Sequence, residues 1–332
     1  MQWAGGSTQI FFAAAGDTIY DVSVSGAAVA SSVTSLTKAL LLSTVFTTSG
    51  GWFLFWVNGE DSPQYFNGSV WTTPAITGVT AANLANVWVH GARLWFAEQG
   101  TMDAWYLPVD QLAGSATKLS LGSSTQKGGY LVAGASTATG AGDGIAPYNV
   151  FVTSEGELVV YQGLDPATSA TWALVGTYVV GRPLGRRCFQ RVQGDLLIMT
   201  EDGIFSLLAV MKYDRAAALE TAITKPIEPL WRDLVRLYGG QEAWQMTLWS
   251  RESMMIVSLP GSDNTNDMQL VVNTTTGAWA TFTGWPASCF GVYDNALYFG
   301  RYDGEVWQAE IGARDGDDPY IVRWMPVYSD FG

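Results

Sequence analysis

Hydrophobic residues in this chain come in short runs that pair across turns. Seven segments share that shape: Ile10–Val24, Trp52–Trp71, Arg93–Val109, Asn149–Gln162, Asp195–Val210, Met254–Phe282 and Ala296–Ile311. Most of their turns contain glycine, as in Gly16-Asp17, Asn58-Gly59, Gln99-Gly100, Glu155-Gly156, Asp202-Gly203 and Asp303-Gly304. Asp-Gly or Asn-Gly between apolar runs is a strong hairpin signal, because both central positions tolerate positive φ. One core position per unit (Phe11, Leu54, Leu94, Phe151, Leu197, Ile256, Leu297) gives spacings of 43, 40, 57, 46, 59 and 41. Four of these fall in the range of about 40–50 residues expected for a propeller blade. The pattern predicts an all-β chain, a single β-propeller domain over 1–332 with about five to seven blades.

The two long spacings have visible causes. One contains the small-residue run Ala133–Gly144, which reads as a flexible surface loop. The other contains a helical insertion near 214–238. Asp214 is an acceptable N-cap for Arg215–Ile223, and Leu230, Leu234 and Leu237 fall on one face of a second piece that ends at Gly239-Gly240. Lys38–Val57 is the most apolar stretch, but Thr47–Gly51 interrupts it, so it reads as two strands and not as a membrane span. A tryptophan follows glycine in Gly68–Trp71, Gly277–Trp279 and Gly304–Trp307, which fits repeated blade packing.

Composition narrows function mainly by exclusion. The formal net charge is −13, from 17 Lys and Arg against 30 Asp and Glu, and this opposes tight nucleic-acid binding. No signal peptide is read at Met1–Gly6. Cys188 and Cys289 read as buried small hydrophobes. His90 is the only histidine, so neither a usual zinc site nor a supported Ser-His-Asp triad is available. Asp263–Asp267 and Asp315–Asp318 are oxygen-rich turns that could ligate Ca²⁺, but neither has the EF-hand pattern. Gly134–Gly144 lacks the lysine and the following helix of a phosphate loop. No catalytic, cofactor or metal set is read, and no enzyme activity is expected.

The order of several motifs resembles a known family. Leu164-Asp165-Pro166 and Thr171-Trp172 precede Val175–Arg187, which contains Gly181-Arg-Pro-Leu-Gly-Arg-Arg187. Gly194–Ile204, Asn273–Trp279 and Leu297–Trp307 follow. This order is similar to the β-propeller core of tail nozzle (tail hub, or tail tubular B-like) proteins of short-tailed bacteriophages. The resemblance covers roughly residues 145–330. It implies a homo-oligomeric ring, a hexamer below the portal and adaptor proteins, in the virion tail and assembled in the host cytoplasm. The ring would conduct and retain genomic DNA without specific binding, and would help attach tail fibres or a needle. Subunit contacts are then expected at the helical insertion and the basic segment, at Arg182, Arg186, Arg187, Arg191, Trp231 and Arg232. Two other readings stand beside it. A carbohydrate- or receptor-binding propeller predicts solvent-facing tryptophans in several blades. A propeller glycoside hydrolase predicts carboxylates and arginines converging in the central funnel.

Overall fold

A computed structural model describes residues 1–137, 147–168, 170–192, 194–261 and 268–311, with the backbone of 314–315 and 318–319. It is a seven-bladed β-propeller. Each blade is an antiparallel meander, and the blades follow one another in sequence. Blade I uses Gln2–Gly5, Thr8–Ala15, Thr18–Asp21 and Val29–Ala30; blade II uses Leu42–Thr48, Gly51–Val57, Gln64–Phe66 and Trp71–Thr72. Blade III uses Leu84–His90, Arg93–Glu98, Asp103–Tyr106 and Thr117–Ser120; blade IV uses Leu131–Thr137, Tyr148–Thr153, Glu157–Gln162 and Ala173–Val179. Blade V has three strands, Phe189–Val192, Asp195–Thr200 and Gly203–Ser206. Blade VI uses Gln245–Trp249, Met254–Ser258, Gln269–Asn273 and Trp279–Phe282, and blade VII uses Ala287–Tyr293, Ala296–Arg301 and Val306–Gln308.

Each predicted hairpin supplies the middle of one blade. The second strand of a blade packs on both faces, so it reads as a continuous apolar run: Leu54, Phe55, Trp56 and Val57 are all fully buried. The hydrophobic clusters accordingly lie between neighbouring blades, for instance Phe55 and Phe96 between II and III, and Trp95 and Phe151 between III and IV. The first strands of successive blades adjoin one another around the whole ring, and blade VII returns to blade I. That closure is sealed by Phe11 stacked on Tyr293, with ring centroids 5.1 Å apart, and by the Tyr293 hydroxyl donating to the Gln9 carbonyl at 3.2 Å.

Three sequence expectations need correction. The stretch Leu131–Thr137 is the innermost strand of blade IV and not the start of a surface loop; residues 138–144 of that expected loop lie outside the described residues. Small side chains are required at this position: a Cβ on Gly134 would sit 2.3 Å from the Trp88 ring. The blade V hairpin stops at Ser206, and Leu207–Lys212 is helical (α1), with the Ser206 hydroxyl capping the Ala209 N–H. Asp214 caps α2 (Arg215–Glu220) as expected, accepting from the Ala217 N–H at 2.8 Å. In α3 (Glu228–Tyr238) the buried face runs through Trp231 and Leu234, with Val235 and Tyr238 half-buried, while Leu237 is 63% exposed. Positions 231, 234, 235 and 238 follow the helical i, i+3, i+4, i+7 stripe and include the larger anchor. These helices stand where blade V lacks a fourth strand. The Ile223 N–H donates to the Ile204 carbonyl at 2.9 Å and so covers part of that open edge.

Candidate functional site

The innermost strands enclose a central cavity of about 940 Å³ with lining from all seven blades. Four of these strands are seven residues long, or roughly 23 Å at 3.3 Å per residue. Averaged over that length the cross-section is about 40 Å², a circle about 7 Å across and narrower than the major groove alone of a duplex at about 12 Å. A nucleic-acid duplex does not fit along the axis of a single chain.

One end of the cavity is strapped by arginines. Arg187 lies two residues before the innermost strand of blade V and bridges to Gln245. It donates through Nη1 to Gln245 Oε1 of blade VI at 3.1 Å, and through Nη2 to the carbonyl of Leu41, across the ring before blade II, at 3.1 Å. Beside it, Arg186 donates to the Asn58 carbonyl at 3.1 Å and pairs with Glu242 at 3.5 Å. Glu242 also accepts from Lys38 at 2.6 Å, and Asn86 Nδ2 donates to the Arg186 carbonyl at 3.0 Å. Bonds carrying a formal charge are roughly twice as strong as neutral ones. This network therefore ties blades II, III, V and VI together over the axis.

At the other end sits His90, the last residue of blade III's innermost strand, only 2% exposed. Its Nε2 lies 2.6 Å from the Gly163 carbonyl, which can only accept, so Nε2 carries the proton. Nδ1 then accepts from the Ser136 hydroxyl of blade IV at 2.8 Å. Burial pushes this imidazole down from 6.5 to about 4, partly opposed by the Gly163 bond and aided by nearby Arg191. His90 is thus a neutral pin between blades III and IV. The unfolded chain takes up a proton at this group between about pH 6.5 and 4, so stability is complete above 6.5 and falls as pH drops toward 4. At about 1.4 kcal/mol per unit the loss is on the order of 3 kcal/mol. Denaturant unfolding at about pH 7 and pH 5 is expected to show this slope in the wild type and a flatter one in His90→Gln. Equal wild-type stability at both pH values would contradict the neutral buried state.

The six residues expected at subunit contacts separate into three groups. Arg182 is exposed and pairs with Glu155 of its own chain at 2.9 Å. Arg232 is the most outward, with its side chain 74% exposed and paired to Glu228 one helical turn back. Arg186, Arg187 and Arg191 line the central cavity instead. Trp231 is 1% exposed and donates to the Glu201 carbonyl at 3.2 Å, so it anchors α3 to blade V and presents nothing to a second copy. Cys188 is buried, its thiol pushed up to about 12 by desolvation. Cys289, expected in the core, is half-buried and faces the cavity. Asp263–Asp267 lies outside the described residues, as do the side chains of Asp315–Asp318. Gln245, Asn86 and Ser136 were not anticipated. The alternation Arg187-x-Phe189-x-Arg191 is the signal that could have placed Arg187 and Arg191, since period two in an extended chain puts them and Phe189 on the axis side, while Arg186 lines the cavity outside that alternation.

The cavity lining contains no carboxylate among the described residues. Among the described residues the funnel therefore holds no acid and base pair of the glycoside hydrolase kind. The glycine-linked tryptophans are half-buried and packed: Trp71 against Phe12 and Phe66, Trp279 with its indole N–H on the Ile223 carbonyl, and Trp307 under Arg301. They form no array of free stacking platforms. Among the described residues no group of three or more His, Cys, Asp or Glu could hold a metal ion, and no helix is long and apolar enough to cross a membrane.

No protein-family model matches the chain, and no curated protein does. Solved structures do. A protein of Bacteroides uniformis, provisionally assigned as a 6-phosphogluconolactonase, is 16% identical over 91% of this chain and 94% of its own, with a TM-score of 0.50. A similarly assigned protein of Bacteroides fragilis is 13% identical over 91% and 92%, with a TM-score of 0.51. Saccharomyces cerevisiae Sqt1 is 11% identical over 92% and 84%, also at 0.51. At such identities the likeness is one of fold, and the fold is the seven-bladed β-propeller.

Proposed function

We propose that this chain is a structural propeller, a subunit of a ring that forms the tail conduit of a short-tailed bacteriophage. The observation that carries the reading is the ordered motif set running from Leu164 to Trp307, which resembles tail nozzle proteins. The segment Gly181–Arg187 within that set does scaffold work: it delivers Arg186 and Arg187 to the cross-axis network. That no carboxylate among the described residues lines the funnel supports a non-catalytic role. With so narrow an axis, the DNA path in this reading runs between copies and not through one of them. A chain of net charge −13 favours a lumen past which DNA slides without gripping.

The rim offers apolar surface for heterologous contacts, which close into a ring when their rotation permits. Leu208, Tyr213 and Leu237 are exposed on the helices after blade V, and Leu174, Val175 and Val179 on the outer strand of the adjacent blade IV. In this reading the adaptor sits above the ring, fibres or a needle attach to it, and the assembly belongs to the virion tail. Sedimentation of the purified chain over a wide concentration range is expected to reveal a hexamer. Introducing aspartate at both Leu208 and Leu237 is expected to shift the population to monomer without changing the circular dichroism. A hexamer that survives the double substitution would move the contact away from this rim.

A further inference from the structure

Acidic side chains outnumber basic ones 30 to 17 in this chain, yet among the described residues none lines the central cavity. Its cations are Arg186, Arg187 and Arg191. Arg186 is compensated by Glu242. Arg187 meets only neutral acceptors, Gln245 Oε1 and the Leu41 carbonyl. The Arg191 guanidinium has no hydrogen-bond or ion-pair partner among the described residues, although it faces the same space. Desolvation holds the Arg187 guanidinium below the usual arginine range, and partial desolvation shifts Arg191 the same way, although Arg191 is exposed at its end of the cavity. His90, beside Arg191, is held neutral and adds no negative charge.

Size and donors fit a small ligand. A volume of about 940 Å³ falls at the upper end of small-molecule sites, roughly 300–1,000 Å³. Arg187 and Arg191 are four residues apart, about 13 Å along an extended chain, a span that two arginine side chains and one small polyanion between them bridge. Guanidinium forks match phosphate geometry two bonds at a time. Ser43, Thr44 and Thr47 also line the space from blade II. We infer that the central cavity is a binding site for a small multivalent oxyanion of phosphate type, held between Arg187 at the strapped end and Arg191 at the other. This goes beyond the proposed conduit role and does not depend on it, because the site lies within one chain.

Isothermal titration of the full chain with inorganic pyrophosphate, at ionic strength balanced with chloride, tests the site. Saturable binding of one pyrophosphate per chain is expected. Arg191→Gln removes no bond seen in the folded chain and is expected to weaken binding roughly tenfold to a hundredfold, with an unchanged melting midpoint in chloride. Arg232→Gln, on the outer helix, is expected to bind like the wild type. Absence of saturable binding by the wild type overturns the proposal, and so does equal affinity of Arg191→Gln and wild type. Ring assembly is read separately by mass, so either result leaves the conduit reading to its own test.

Discussion

Replacing Trp95 with alanine is expected to destabilise the folded chain by about 3–5 kcal/mol. Trp95 is fully buried at the centre of the cluster between blades III and IV. It stacks on Trp172 with centroids 5.7 Å apart, lies 4.7 Å from Tyr106, and meets Phe151 edge-on at 5.9 Å. Its indole N–H donates to the His90 carbonyl at 3.2 Å. Truncation leaves a cavity bounded by rigid rings, which cannot collapse, and removes the indole hydrogen bond to the His90 carbonyl. A domain of ordinary stability has about 5–15 kcal/mol to lose, so the variant should lie near its unfolding threshold at 37 °C. Trp95→Phe keeps most of the stacking and is expected to lose less than half as much. Chemical denaturation monitored by far-ultraviolet circular dichroism measures both, and a loss below about 1 kcal/mol for the alanine variant would contradict the packing described.

Gly163→Ala is expected to cost about 2–5 kcal/mol, combining backbone strain with overpacking. Gly163 has φ +123°, and an added Cβ would sit 1.8 Å from the Thr171 carbonyl oxygen. Neither backbone can yield easily, because the same Gly163 carbonyl accepts the His90 Nε2 proton. Movement of this turn would loosen the Gly163 bond that holds the His90 titration up against burial, so that titration should fall further below its ordinary value. Nuclear magnetic resonance of the single imidazole reads that change directly. Gly122, with open space around it, is a control whose alanine variant should be near neutral. Equal stability of the two alanine variants would overturn the close approach at Gly163.

Much of the fold was legible because the middle strands of a blade bury both faces. Bulky runs such as Trp52–Val57 and Arg93–Ala97, punctuated by glycine turns, mark them clearly. The innermost strands were harder to see for the opposite reason. Near the axis space is short, and Ala133-Gly134-Ala135-Ser136 meets the Trp88 ring where a larger residue would clash. Composition there resembles a linker. Helix α1 was hidden because Ile204–Val210 continues the hairpin's apolar run, and short apolar runs do not separate strand from helix by period. Ser206, with its hydroxyl on the Ala209 N–H, was the local clue. The basic segment was found as a cluster, but clustering gives no direction. The extended backbone from Arg187 into the strand Phe189–Val192 turns Arg187 and Arg191 inward, while Arg182 stays on the rim with Glu155. Trp231 illustrates the same limit from the other side, since a tryptophan among charged helix residues looks like an interface residue until its partner Glu201 is in place.

In the proposed function, copies of this chain enclose a conduit that no single copy contains. Negative-stain imaging of the purified protein tests it most directly. A closed ring with six-fold symmetry is expected, with a lumen of about 20–40 Å, wide enough for a duplex whose major groove alone is about 12 Å across. Isolated seven-bladed discs at every concentration, in the free protein and in the presence of isolated tail adaptor alike, would contradict it.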